Sequence, residues 1–145
     1  MKKISYLGVL LVVVTLLACE SDDNAPTSEI CDVTAEINDS RFASTDPSNY
    51  TVESARVNGD CLEVQLQSGG CDGAEWSARL YAANSIDESL PPQRSIIIAL
   101  ENTEPCDAIV SRTFTFELTP LAPSGEESVI LRLAGWEEGG LLYEF

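Results

Sequence analysis

The chain has 145 residues, 44% hydrophobic and 22% charged, which fits one globular domain around one core and argues against wholesale disorder. Its formal net charge of −16 repels nucleic-acid phosphates and anionic headgroups at range, so DNA and RNA are not expected partners. There is no histidine, which removes Ser-His-Asp and Cys-His nucleophilic machinery, His-ligated zinc and the usual general base near neutral pH.

At the N-terminus, Lys2 and Lys3 precede an apolar run from Ile4 to Leu17. At about 14 residues the run is shorter than the roughly 20 a spanning helix needs, and it suits a signal-peptide core. It ends in Leu16-Leu17-Ala18-Cys19. That tetrapeptide resembles the lipobox of bacterial lipoprotein precursors, in which Leu, a small or apolar residue and Ala or Gly precede Cys. The resemblance implies diacylglycerol transfer to the Cys19 sulfur, cleavage before Cys19 and acylation of the new N-terminus. The competing reading is an uncleaved anchor helix with an incidental cysteine. Buried methylenes contribute about 0.8 kcal/mol each, so two or three acyl chains on one cysteine hold a protein at a surface that one chain would leave. The expected organisation is a signal peptide over 1–18, a lipidated tether over 19–29 and one domain over 30–145.

Glu20 to Ser28 is polar and aperiodic, as a flexible tether should be. Its acidic start after Cys19 is similar to the surface-export signal of Bacteroidetes-type lipoproteins, which implies an outer-membrane protein facing outward. A plain solvated linker is the other reading, and both stay open.

Beyond Cys19 the chain keeps Cys31, Cys61, Cys71 and Cys106. An even set in an exported chain argues for two disulfides, and four cysteines allow three pairings that sequence does not choose between. The expected pairing is Cys71 with Cys106 and Cys31 with Cys61, each closing a loop of roughly 30–35 residues and removing about 3–4 kcal/mol of unfolded-chain entropy. A zinc site would want a tight C-x-x-C knuckle, and none exists. No metal and no cofactor are expected.

From about Tyr50 onward the pattern is short alternating runs between turn signals. Thr51 to Val57, Asn58-Gly59-Asp60 and Cys61 to Gln67 read as a hairpin, since Asn-Gly supplies the positive-φ pair of a tight turn. Leu62, Val64 and Leu66 share one face, and Ser68-Gly69-Gly70 should end the strand. Trp76, Ala78 and Leu80 alternate with Ser77, Arg79 and Tyr81, and Ala82 to Leu90 could hold a helical turn. Ser95 to Leu100 is apolar on both faces, as in a central strand. Phe114, Phe116 and Leu118, then Val129, Leu131 and Leu133, point inward from two further strands, and Leu141 to Phe145 adds a last one. The expected fold is all-β, an antiparallel β-sandwich (Ig-like or similar) of six to eight short strands.

Ser68-Gly69-Gly70-Cys71, Pro91-Pro92-Gln93, Cys106-Asp107-Ala108 and Thr113-Phe114-Thr115-Phe116 together resemble small uncharacterised bacterial surface lipoproteins over positions 61–145. The resemblance implies a common fold and the Cys71–Cys106 bridge, and no activity. Chains of that kind carry a histidine with an acidic neighbour shortly after the Gly-Gly-Cys. Here that stretch is Asp72-Gly73-Ala74-Glu75-Trp76, so any role for that histidine is lost.

The remaining route to catalysis is paired carboxylates. Glu137 with Glu138, Glu126 with Glu127, and Asp87 with Glu88 are neighbours in sequence, but adjacent strand residues point to opposite faces. No calcium loop of the D-x-D-x-D-G kind appears. Trp76, Tyr81, Trp136 and Tyr143 could form a platform for a glycan or peptide, or simply fill the core. Trp136, in Trp136-Glu137-Glu138-Gly139-Gly140, reads as the best exposed contact. The function expected is a non-enzymatic binding, structural or accessory role for a lipid-anchored protein of the cell outer membrane, with an envelope protein or glycan as partner. The alternative is a carboxylate-only enzyme acting on cell-surface carbohydrate.

Overall fold

A computed structural model describes residues 30–145 of the chain; the expected signal peptide, the tether and Cys19 lie outside the described residues. The described chain is mostly β. One sheet has the order β1 (Val33–Thr34), β7 (Ala108–Glu117), β4 (Cys61–Gly70) and β3 (Thr51–Asn58). The other runs β2 (Glu36–Ile37), β5 (Ser77–Ala82), β6 (Gln93–Glu101), β8 (Ser128–Leu133) and β9 (Leu141–Glu144).

The alternation in the sequence sets which faces meet. Leu62, Val64 and Leu66 from β4 and Phe116 from β7 are fully buried, as are Ile96 and Ile98 from β6, Leu131 from β8 and Tyr143 from β9. They belong to one hydrophobic cluster between the sheets. Each such side chain contributes roughly 1.5–3 kcal/mol of transfer free energy. The hairpin forms as expected, but the turn is Gly59-Asp60 with Asn58 still paired opposite Cys61, and of the expected positive-φ pair only Gly59 has a positive φ, at +54°. The turn is tied to the core from two directions. The Asp60 carbonyl accepts the Leu118 N–H at 2.8 Å, and its carboxylate accepts the Tyr143 hydroxyl at 2.8 Å. Burial first, then the Asp60 carboxylate, pushes the Tyr143 hydroxyl up to about 12.

Several expectations need correction. The sheets are mixed and not antiparallel throughout: β3–β4, β4–β7, β5–β6 and β8–β9 are antiparallel, but β1–β7, β2–β5 and β6–β8 are parallel. The chain path explains this. After β6 it crosses to the other sheet to form β7, so it returns into β8 running in the β6 direction. At the N-terminal side one extended segment leaves the first sheet at Thr34 and joins the second at Glu36, with Ala35 buried at the crossing. These two-residue strands raise the number of strands among the described residues to nine, above the six to eight expected.

Ser68-Gly69-Gly70 does not end its strand: it continues β4, opposite Val110, Ile109 and Ala108. Ala82 to Leu90 holds no helix: Ala82 ends β5, and the rest has only bends and an isolated bridge between Asp87 and Gln93. The helix lies earlier, as α1 (Asp39–Ser44), capped by the Asn38 side chain accepting the Arg41 N–H at 3.1 Å. Six residues are too few for a periodic signal. Together α1 and the 3-10 turn Pro47–Asn49 pack on β5 and β6. The second face of β6 is buried as well. Ile97 and its register partner Tyr81 lie on the side opposite Ile96 and Ile98, yet are 5% and 8% exposed.

Candidate functional site: an open seam between the sheets

The Val33–Ile37 segment closes only part of one side of the molecule. β1 pairs with β7 at Phe116 and Glu117, and β2 pairs with β5 at Tyr81 and Ala82. Below those contacts the flanks of β5 and β7 have no strand between them among the described residues. A groove of about 470 Å³ occupies this position, within the size range of small-ligand sites. Its walls include Trp76, Ala78 and Glu101 from one sheet and Thr113 and Phe114 from the other, with Asp32 at the end where the chain enters.

Strand parity identifies which backbone groups face the seam. Glu117 accepts the Ala35 N–H through its carbonyl, and Leu118 donates to Asp60 on the β4 side. The amides and carbonyls of Thr113, Ser111 and Ile109 therefore point away from β4, into the seam. On β5, Ala82 accepts from Asn38 and Ala83 donates to Ser95, which places Ala78 and Trp76 on the seam side. The Trp76 carbonyl is used there, accepting from Arg112 at 2.8 Å.

Arg112 is also committed to two other carbonyls, of Gly73 at 2.5 Å and Ala74 at 3.3 Å, and its guanidinium lies 5.0 Å from the Phe114 ring centroid. While Arg112 gathers the carbonyls of the loop 71–76, Glu104 gathers its amides. One Glu104 oxygen, Oε2, accepts from Cys71 at 2.6 Å, Gly73 at 3.1 Å and Asp72 at 3.3 Å, and Oε1 accepts from Glu75 at 3.2 Å. This is an anion-binding nest filled by the chain's own carboxylate. Burial pushes the Glu104 carboxyl up, but the N–H groups of Gly73, Cys71, Glu75 and Asp72 outweigh it and hold it down at about 2. Gly70 makes the approach feasible, since a Cβ there would sit 2.5 Å from Glu104 Oε2 and 3.0 Å from the Trp76 ring. Gly73, at φ +76°, supplies the turn.

Both expected disulfides are present, Cys31–Cys61 with Cα atoms 5.7 Å apart and Cys71–Cys106 with Cα atoms 4.8 Å apart. Cys71–Cys106 joins the loop carrying the nest to the loop carrying Glu104.

Trp136 needs correction as an exposed contact. It is half-buried and packs against the core at a turn where its N–H donates to the Leu133 carbonyl at 3.2 Å. Nor is there an aromatic platform, because Trp76, Tyr81 and Tyr143 are 3%, 8% and 0% exposed. Of the acids weighed as pairs, none lines the seam; its carboxylates are Asp32, which accepts from the Thr115 hydroxyl at 2.7 Å, and Glu101, which accepts from the Ser77 hydroxyl at 3.2 Å. Reasoning from sequence missed Glu104 and Arg112. The signal available was the glycine cluster around Cys71, which is the composition a backbone nest needs. Among the described residues no group of three His, Cys, Asp or Glu side chains is placed to hold a metal, and no helix is long and apolar enough to cross a membrane.

No protein-family profile matches the chain, and no curated protein matches it. Among solved structures it is similar to a protein of unknown function (DUF1344) from Bacteroides vulgatus, at 13% identity and a TM-score of 0.48. The match covers 78% of this chain and 56% of that one.

Proposed function

We propose that the chain is a lipid-anchored protein of the cell outer membrane with a non-catalytic binding or accessory role, contacting an envelope protein or glycan. The observation that carries the reading is the N-terminal order of Lys2-Lys3, an apolar run and Leu16-Leu17-Ala18-Cys19. The two disulfides are in keeping with an oxidising compartment, and the open seam offers a place for a partner. Intact mass of the protein purified from membranes tests it. The expected species starts at Cys19, carries acyl chains and yields no alkylatable thiol before reduction. A Cys19→Ala variant matured to the same size and retained by membranes after a high-salt wash would overturn the anchor.

One observation favours a second reading, a carboxylate-only enzyme acting on cell-surface carbohydrate: Asp32 and Glu101 line a single groove. Glycosidases need two acids roughly 5–10 Å apart across a cleft. Glycan hydrolysis by the purified protein, abolished by both Asp32→Asn and Glu101→Gln, would establish this reading over the first.

A further inference from the structure

We infer that the vacant half of the seam takes an extended, basic segment of another polypeptide, added as a strand along β7. The inference rests on the binding reading above and not on the lipid anchor.

The first support is the backbone. Thr113, Ser111 and Ile109 turn their N–H and C=O groups into the seam, and among the described residues no strand pairs with them there. An exposed row of this kind is a template for strand addition. The second is that the chain already shows what the seam accommodates. Its other half is filled by the extended segment Val33–Ile37, paired first with β7 and then with β5. The vacant half continues the β7 edge below that segment.

Side chains set the pattern of the occupant. Alternate residues of a strand added beside β7 would point into the groove, toward Trp76, Ala78 and Phe114. The others would lie beside Thr113, Ser111 and Ile109, of which Ile109 is 72% exposed. The inward positions are therefore apolar. Charge selects the rest through the chain as a whole, which is strongly acidic; within the groove Asp32 and Glu101 stand with Arg79, while Arg112 is spent on three carbonyls of its own chain. A second copy of a chain with net charge −16 is repelled, whereas a basic segment is drawn in.

The test uses the full-length protein in detergent micelles and a fluorescein-labelled peptide, Lys-Val-Lys-Val-Lys-Val-Lys, followed by anisotropy. Saturable binding is expected, with none for the Glu-Val counterpart. Methylating the peptide amides that would face β7 should weaken binding at least tenfold, and so should Thr113→Pro. That proline removes a donor facing the seam and leaves the β4 ladder intact. Equal binding of the methylated peptide to the unmodified protein would reduce the effect to bare charge attraction and overturn the proposal, whether or not Thr113→Pro folds. Absence of saturable binding overturns it as well. So does a wild-type dimer, seen by sedimentation, that Thr113→Pro dissolves, since the occupant would then be a second copy. Binding retained by Cys19→Ala supports the slot even if the anchor fails, and an acylated protein that ignores the peptide sinks the slot alone.

Discussion

β7 is held differently on its two flanks. Against β4 it is in register from Cys61↔Glu117 to Gly70↔Ala108, whereas against β1 it pairs at Phe116 and Glu117 alone. The long ladder lies over fully buried Leu62, Val64, Leu66 and Phe116, and the Cys71–Cys106 bridge clamps its far end just beyond the Gly70–Ala108 pair. The short-paired flank has a cross-link at the end where the chain enters. Cys31 is bridged to Cys61 just before β1, and Glu104 and Arg112 fix the loop beyond the open end. Both flanks have a disulfide beside them. The difference lies in the ten residue pairs over a buried core on one side against two on the other. The short flank therefore depends far more on its bridge to remove loop entropy.

The comparison can be broken most directly from the ladder side. Phe116→Ala should lower stability by about 3–5 kcal/mol in urea unfolding, because it removes a fully buried ring between the sheets. A loss below about 1 kcal/mol would mean the ladder does not depend on this core. Replacing Cys31 and Cys61 together by Ser should cost about 3–4 kcal/mol. Here hydrogen exchange sharpens the contrast. Val33–Ile37 should lose protection while β4 and β7 keep theirs, and a rise across all of them would show the two flanks opening as one.

Gly70→Ala sets a Cβ against Glu104 and the Trp76 ring, and it should cost about 1–3 kcal/mol by thermal or urea melts. The smallest effect at neutral pH belongs to Glu104→Gln, and its signature is a pH dependence. The folded carboxyl titrates at about 2, below its ordinary 4.5, so the unfolded chain takes up the proton first as acid is added. The stability Glu104 contributes is therefore present above pH 4.5 and lost as pH falls toward 2. The Gln variant should show a shallower loss across that window in acid titrations of the melting temperature. A slope equal to wild type would mean the nest does not hold the charge.

The sequence displays the ladder more openly than the seam, for physical reasons. Period-two runs such as Leu62-Glu63-Val64-Gln65-Leu66 and Phe114-Thr115-Phe116 report burial on one face, and their positions in β4 and β7 follow. The double apolarity of Ser95 to Leu100 marks the centre of its sheet, although what covers Ile97 could not be read. β1 and β2 are two residues each, too short for any period, so the parallel pairings they impose left no trace. Both disulfides paired as expected. The seam was invisible because its chemistry belongs to backbone groups. Glu104 and Arg112 look like any surface charges until the loop around Gly73 is folded onto them. Trp136 misled for the opposite reason, since its polar, glycine-rich neighbours disguise an indole that packs inward.

Cys31 also governs where mechanical load goes. A tug on the chain upstream of Ile30 reaches Cys31 before it reaches Val33, and from there a covalent link carries it to Cys61 at the start of β4. The two-residue β1 is bypassed, and the force arrives at an interior strand with a neighbour on each side. Reduction of that one bond would redirect the same pull onto β1, whose few hydrogen bonds would then have to unzip one after another.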